Sequence, residues 1–224
     1  MMKAVSIAVD GPSGAGKSTL ARRIAARLGF IYVDTGALYR TIALAVLRAD
    51  AQTDEAVIAL LPELQIALAY EDGVQHVLLN GEDVSGLIRT PEVSMGASRV
   101  SAIPQVRQFL FDLQQKMARE HSVVMDGRDI GTVVLPNADV KIFLTASPET
   151  RALRRFRELE EKQPGVQTYE EVLRDVIRRD KQDTERTISP LRQAEDAVLV
   201  DTSYADLDES EEMMLAVCRE KLQL

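Results

Sequence analysis

Lys17 and Ser18 close the octet Gly11-Pro12-Ser13-Gly14-Ala15-Gly16-Lys17-Ser18, which follows directly on the apolar run Ala4-Val5-Ser6-Ile7-Ala8-Val9. The octet fits the pattern G-x-x-x-x-G-K-S/T at every specified position. Glycines at 11, 14 and 16 let the backbone curl with its N–H groups inward, where phosphate oxygens can approach without a side chain in the way. Leu20, Ile24 and Leu28 then repeat at helical spacing. A helix starting there aims its N-terminal dipole at the same point. Lys17 supplies a mobile charge for β- and γ-phosphates, and Ser18 a hydroxyl for Mg²⁺. The segment Gly11, Pro12, Ser13, Gly14, Ala15, Gly16, Lys17, Ser18 and Thr19 is therefore expected to hold a nucleoside triphosphate.

Other charged residues cluster where strands should end. Asp34-Thr35-Gly36-Ala37-Leu38-Tyr39-Arg40 follows the apolar stretch 30–33, and Asp126-Gly127-Arg128-Asp129 follows 122–125. Residues 151–192 contain Arg151, Arg154, Arg155, Arg157, Arg174, Arg178, Arg179, Arg186 and Arg192 around a Pro164-Gly165 turn. Any single one of these reads as part of a solvated, salt-bridged face, Arg154 with Glu158 for example. Together they suit a cationic helical hairpin that neutralises developing charge and expels water during phosphoryl transfer. Asp10 and Asp34 could orient the waters of Mg²⁺ or, equally, cap loop backbone at strand ends.

The elements that must position these groups follow from periodicity. Strand, helix and strand at the N-terminus make a βαβ unit, so the sheet is expected to be parallel and open, with ligands beyond the carboxyl ends of its strands. Further apolar strands at 122–125, 140–144 and 197–200 give an α/β fold with a parallel five-stranded phosphate-loop sheet and helices on both faces. Residues 104–120 read as a helix burying Val106, Phe109, Leu113 and Met117. Residues 53–101 depart from this pattern, with a short helix at 53–61, strands at 66–70 and 76–79, and an Asn80-Gly81 hairpin turn. They read as an inserted small α/β subdomain in a single domain of 1–224, whose core takes 1–52, 102–150 and 187–224. Residues 151–186 form the lid.

The chain has 27 basic and 35 acidic residues, a net charge of −8, which argues against a general nucleic-acid or membrane-surface binder. Cys218, the one cysteine, excludes a disulfide framework and suits a reducing compartment. No stretch approaches the ~20 apolar residues that cross a bilayer. The first strand begins too early to leave room for a secretory signal, so a cytoplasmic location is expected. His76 and His121 read as ordinary surface or boundary residues.

Taken together, the phosphate loop, Asp34 to Arg40, Asp126-Gly127-Arg128-Asp129-Ile130-Gly131-Thr132-Val133-Val134, Asp183-Thr184-Glu185-Arg186 and the insert ending near Arg89-Thr90-Pro91-Glu92-Val93 resemble bacterial cytidylate kinases over essentially the whole chain. The resemblance implies transfer of the ATP γ-phosphoryl group to CMP or dCMP, with residues 53–101 as the NMP-binding subdomain and the enzyme acting as a monomer. It implies that Arg40, Arg128 and Arg186 hold the acceptor phosphate near Thr35. Ser98, Arg107 and Asp129 would read cytosine, and Arg179 and Asp183 would meet the sugar. Lys17, Arg128, Arg186 and the lid residue Arg154 are the electrostatic catalysts expected. Ser18, where some members have Gly, favours direct metal contact, and Thr35 keeps the hydroxyl of a more usual Ser.

Three rival readings remain. A regulatory GTPase would need an Asn/Thr-Lys-x-Asp guanine reader, and Asp180-Lys181-Gln182-Asp183 has the wrong first residue. A kinase of similar fold acting on another nucleotide or an alcohol is nearer. A non-catalytic nucleotide-binding module would leave the additional arginines without a role.

Overall fold

The computed structural model describes residues 4–71 and 74–224. Its main sheet comprises β1 (Ser6–Asp10), β2 (Ile31–Asp34), β6 (Val123–Gly127), β7 (Val140–Thr145) and β8 (Val198–Asp201), in the order β2-β6-β1-β7-β8. Every pairing in it is parallel. The register sets Val9 beside Asp126, Asp10 beside Gly127, and Asp34 beside Asp126. Three strands that lie far apart in sequence thus end in neighbouring carboxylates at one edge of the sheet.

Helices cover both faces. α1 (Lys17–Leu28) buries Leu20, Ala21, Ile24 and Ala25. These pack with Ile7, Val9, Ile142 and Leu144 of the sheet and with Met214 and Leu215 of α8 (Leu207–Leu222). Gly29 ends α1 at φ 68°, a left-handed cap that glycine adopts without a Cβ penalty. Asp34 caps α2 (Thr35–Arg48) by accepting from Ala37 N. α5 (Pro104–Glu120) has the expected limits but a rotated inner face. Val106, Leu110, Gln114 and Met117 are its buried residues, while Phe109 and Leu113 are only partly buried. The Gln114 amide enters the core because Leu110 O accepts from it at 2.9 Å.

The insert begins with α3 (Asp54–Leu60), followed by the antiparallel strands β3 (Ile66–Glu71), β4 (Val74–Leu79) and β5 (Glu82–Asp83). Asn80 and Gly81 turn the second hairpin with φ of 51° and 86°, the two positive values that a two-residue turn of this hand requires. α4 (Pro91–Val100), absent from the sequence expectation, opens with a Thr90 cap and a first-position proline. One continuous apolar cluster runs from Leu38 and Ile42 of α2 through Val57, Val77, Val93 and Val100 to Leu110 of α5. The insert therefore shares its core with the helices that flank it.

α6 (Pro148–Lys162) and α7 (Tyr169–Glu185) form the expected hairpin, closed by a small cluster of Ala152, Val172 and Val176. The Thr168–Glu171 capping box is formed on both sides. No helix among the described residues is long and apolar enough to cross a membrane.

Candidate active site

The loop between β1 and α1 is built around its first glycine. Gly11 adopts φ +150°, and a Cβ there would lie 1.9 Å from Leu144 O, so the backbone can pass β7 only without a side chain. Lys17, the first residue of α1, is 5% exposed, and its Nζ donates to Pro12 O at 2.7 Å. Burial, and then the nearby Arg128 charge, pull its pKa well below the ordinary lysine value against the opposing pull of Asp126, Asp10 and Asp183. Ser18 Oγ donates to Asp126 Oδ2 at 2.9 Å, while Tyr32 Oη donates to Asp126 Oδ1 at 2.9 Å. Burial, seconded by the charge of Asp34, raises Asp126 to about 6. Ser18 and Thr19 are both exposed at the mouth of the loop.

Arginines gather opposite the loop. Arg40 Nη2 donates to Asp34 Oδ2 at 2.9 Å, but its Nε is buried without a hydrogen-bond partner among the described residues. Arg128 Nε donates to Asp183 Oδ2 at 2.8 Å. Arg179 is driven down by burial and by the charges of Arg128 and Arg40, against the pull of Asp183. Arg186 Nε donates to Ser189 O at 2.7 Å, and its Nη2, 4.0 Å from Asp129 Oδ1, is likewise buried without a hydrogen-bond partner among the described residues. Arg107, stacked over the Tyr39 ring at 5.6 Å, pairs directly with Asp129, which is itself 5% exposed. Thr35 Oγ1 donates to Asp126 O at 2.7 Å, tying the start of α2 to the end of β6. Ser98 stands exposed on α4. A buried guanidinium nitrogen left without a hydrogen bond is costly unless an acceptor joins it, and an anion in the cluster would supply one.

The strand-end aspartates take the backbone-capping alternative of the two that the sequence left open, while the lid arginines have places it did not foretell. Asp10 caps backbone, accepting from Ile130 N at 2.8 Å and Gly131 N at 2.7 Å, and so holds the π-helical turn Ile130–Val134 beside Asp129. Asp34 likewise serves as a helix cap and as the partner of Arg40. Arg154 is not directed at the loop and does not pair with Glu158. Its guanidinium donates to Thr202 O at 2.7 Å and Ala205 O at 3.3 Å after β8, while Arg155 pairs with Glu158 at 3.2 Å. The lid arginine that touches the loop is Arg151, 3% exposed, which donates to Ser13 O at 3.0 Å and forks onto Asp180 at 2.9 and 2.6 Å. Arg151 and Asp126 carried no assigned role in the sequence reading. For Asp126 the signal was an apolar strand ending in aspartate, and for Arg151 its place at the start of the lid.

Burial raises Asp10 to about 6 despite its two backbone donors. A folded value above the unfolded one of about 3.9 means that folding favours the neutral carboxyl. The stability contributed in this way is fully present below pH ~4 and is lost as pH rises through about 6. Asp10→Asn removes that dependence. In urea unfolding, the stability of the wild type relative to the variant is expected to be more favourable at pH 4.5 than at pH 7.0. A difference that is independent of pH would refute the assignment.

A parallel sheet with a glycine loop at one strand end, faced across the ends of its neighbours by clustered arginines of which two keep a nitrogen without a hydrogen bond, defines a phosphate-loop protein. The cytidylate kinase family model matches residues 7–220. The cytidylate kinase of Syntrophotalea carbinolica is 48% identical, with 100% of this chain and 96% of that one covered. The cytidylate kinase of Carboxydothermus hydrogenoformans is 50% identical over 96% of this chain and 97% of its own. A solved structure of an uncharacterized protein from Eubacterium ventriosum shares the fold at TM-score 0.52 and 13% identity, covering 95% of this chain and 96% of that one. The chain belongs to the cytidylate kinase family and is a nucleoside monophosphate kinase.

Proposed function

We propose that ATP on the Gly11–Thr19 loop passes its γ-phosphoryl group to CMP or dCMP held by Arg40, Arg128, Arg179 and Arg186. The observation that carries this reading is the pair of buried nitrogens without a hydrogen bond, Arg40 Nε and Arg186 Nη2, beside Arg179 and Arg186, whose pKa values are lowered by burial and further by the neighbouring arginine charges. A phosphate dianion supplies the missing acceptors, and guanidinium forks bind it bidentately. The acceptor phosphate is an oxyanion at neutral pH, so no general base is needed. Lys17, Arg128 and Arg186 act by positioning and by stabilising charge that spreads over the transferring oxygens.

Arg107 and Asp129 are suited to reading the base. Cytosine offers an exocyclic amine donor beside ring acceptors. Asp129 can accept from that amine, and Arg107 can donate to the ring. Uracil turns an oxygen toward the carboxylate and leaves both groups mispaired. Asp183, already fixed by Arg128, can accept from a ribose hydroxyl.

Among the described residues no group of three or more His, Cys, Asp or Glu side chains is placed to hold a metal. A cation here must draw most of its ligands from the triphosphate and water, which is how Mg²⁺ is usually held. Ser18 and Asp126 fit that arrangement, with a hydroxyl exposed at the loop mouth and a buried carboxylate 2.9 Å from it. Ser18 would ligate the ion and Asp126 would orient its waters. When bound, the ion neutralises charge on the β- and γ-oxygens.

A coupled ADP-release assay with CMP, dCMP, UMP, AMP and shikimate as separate acceptors tests the reading. Turnover with CMP and dCMP is expected, with UMP at least tenfold poorer in kcat/KM, since a mispaired buried polar group costs about 1–3 kcal/mol. Activity with none of the five would overturn the kinase assignment. Equal use of UMP and CMP would overturn the roles given to Asp129 and Arg107.

A further inference from the structure

β2 is an edge strand of the main sheet, and β6 is its hydrogen-bonding neighbour. Ile31 N donates toward β6, to Ser122 O at 2.9 Å. By the alternation of a parallel ladder, the carbonyl of Tyr32 and the N–H of Asp34 face the other way, off the edge of the sheet. Both are taken up by the insert. Tyr70 Oη donates to Tyr32 O at 3.2 Å, and Gln75 Oε1 accepts from Asp34 N at 2.9 Å. Tyr70 and Gln75 lie directly opposite each other in the β3–β4 ladder. Two side chains from one rung therefore meet the two edge groups that bracket Val33, where a sixth strand would otherwise pair. A third contact falls at the same point: Arg89, just before α4, reaches within 4.0 Å of Asp34 Oδ2, the oxygen that Arg40 holds.

Asp34 thus has its N–H and both carboxylate oxygens engaged in different directions. Its N–H binds the insert, one carboxylate oxygen caps α2 at Ala37 N, and the other fixes Arg40. Arg40 is one of the two arginines with a partnerless buried nitrogen. Displacing Gln75 would free the backbone at Asp34 and loosen the aim of Arg40, with no direct contact to Lys17 or its loop.

We propose that Tyr70 and Gln75 form a latch that clamps the insert to the edge of β2 and, through Asp34, positions Arg40 for the acceptor phosphate. They are positioning residues for the acceptor half of the site. This rests on the assignment of CMP as acceptor, and it predicts an effect confined to that substrate. A clamp that merely held the fold together would lower both substrates' kinetics and the melting temperature alike. A clamp on Asp34 raises the KM of the acceptor alone.

The test uses the full-length enzyme and the variants Tyr70→Phe, which removes one oxygen, Gln75→Leu, and the double variant. Each hydrogen bond lost is expected to raise the KM for CMP about fivefold, and the double variant about tenfold or more, with kcat and the KM for ATP within about twofold of wild type. Gln75→Glu keeps an acceptor oxygen toward Asp34 N and is expected to restore most of the CMP affinity. Amide hydrogen exchange at Asp34, read without substrate, should be slow in wild type and Gln75→Glu and faster in Gln75→Leu. An unchanged KM for CMP in the double variant, equal losses for both substrates, or unaltered exchange at Asp34 would each overturn the latch. If the unmodified enzyme shows no CMP-dependent turnover, the acceptor assignment falls and the proposal with it. Should the double variant fail to fold, Tyr70→Phe alone, with its single-atom change, decides between the same outcomes.

Discussion

Lys17→Ala is expected to lower kcat with CMP by about 10²–10³-fold while the affinity for CMP changes less than twofold, since a preorganised charge donor aimed at developing charge contributes on that scale. The ammonium is buried and donates to the Pro12 carbonyl at 2.7 Å, and burial together with Arg128 disfavours its charge. Such a group has little to offer the resting protein and much to offer a triphosphate. A γ-phosphoryl group in transfer gives it a partner in a place where water cannot compete. The arginines proposed to hold the acceptor, by contrast, have partners of their own that do not involve Lys17, Asp34 for Arg40 and Asp183 for Arg128. Turnover in the coupled ADP-release assay and calorimetric titration with CMP in the absence of ATP separate the two quantities. Loss of CMP affinity in the variant would mean that donor and acceptor halves have been exchanged. Unchanged turnover would remove Lys17 from the chemistry.

The donor half of this site could be read from the chain because it is local. Eight consecutive residues carry its glycines, lysine and serine, and the backbone they dictate is nearly independent of the rest of the fold. The two-residue turn at Asn80-Gly81 and the capping box at Thr168 and Glu171 were visible for the same reason. The carboxylate network was not. Asp126 meets Ser18 because β6 inserts between β1 and β2, an order that no run of residues encodes and that follows from how parallel crossovers pack. Spacing alone also misdirects in the lid. Arg154 and Glu158 have ideal helical separation, yet α6 turns Arg154 toward carbonyls beyond β8 and brings Arg151 to the phosphate loop. Asp10 and Asp34 show how one aspartate at a strand end can satisfy the sequence signal of a metal site while serving backbone donors. The contacts of Tyr70 and Gln75 with β2 depend on an edge of the sheet that exists only once all five strands are ordered.

Arg186→Met is expected to move stability and activity in opposite directions. Arg186 is the residue at which α7 ends, and its guanidinium donates to Ser189 O, while Nη2 is buried without a hydrogen bond, 4.0 Å from Asp129. Burial lowers its pKa most, Asp129 opposes that, and Arg107, then Arg128 more weakly, push the same way as burial. Asp129 and Asp183 do not depend on it, because Arg107 and Arg128 already pair with them. Methionine keeps the length and apolar stem, abandons the Ser189 bond, and removes a charge that burial and the neighbouring Arg107 and Arg128 disfavour. The unliganded variant is therefore expected to melt about 2–4 °C above wild type, the shift that ~1 kcal/mol gives in a domain of this size. Its kcat/KM for CMP should fall about 10²–10³-fold, the loss expected when the guanidinium proposed to meet the transferring charge is gone. Adding CMP to both proteins must then reverse the order of melting. A ligand at a hundred times its Kd stabilises by about 2.7 kcal/mol, and only the wild type retains the Kd that makes such an excess attainable. Differential scanning calorimetry with and without CMP gives all four melting temperatures. If the unliganded variant melts below wild type by several degrees, Arg186 is a structural tie between the lid and Asp129. If CMP stabilises both proteins equally, Arg186 does not touch the acceptor.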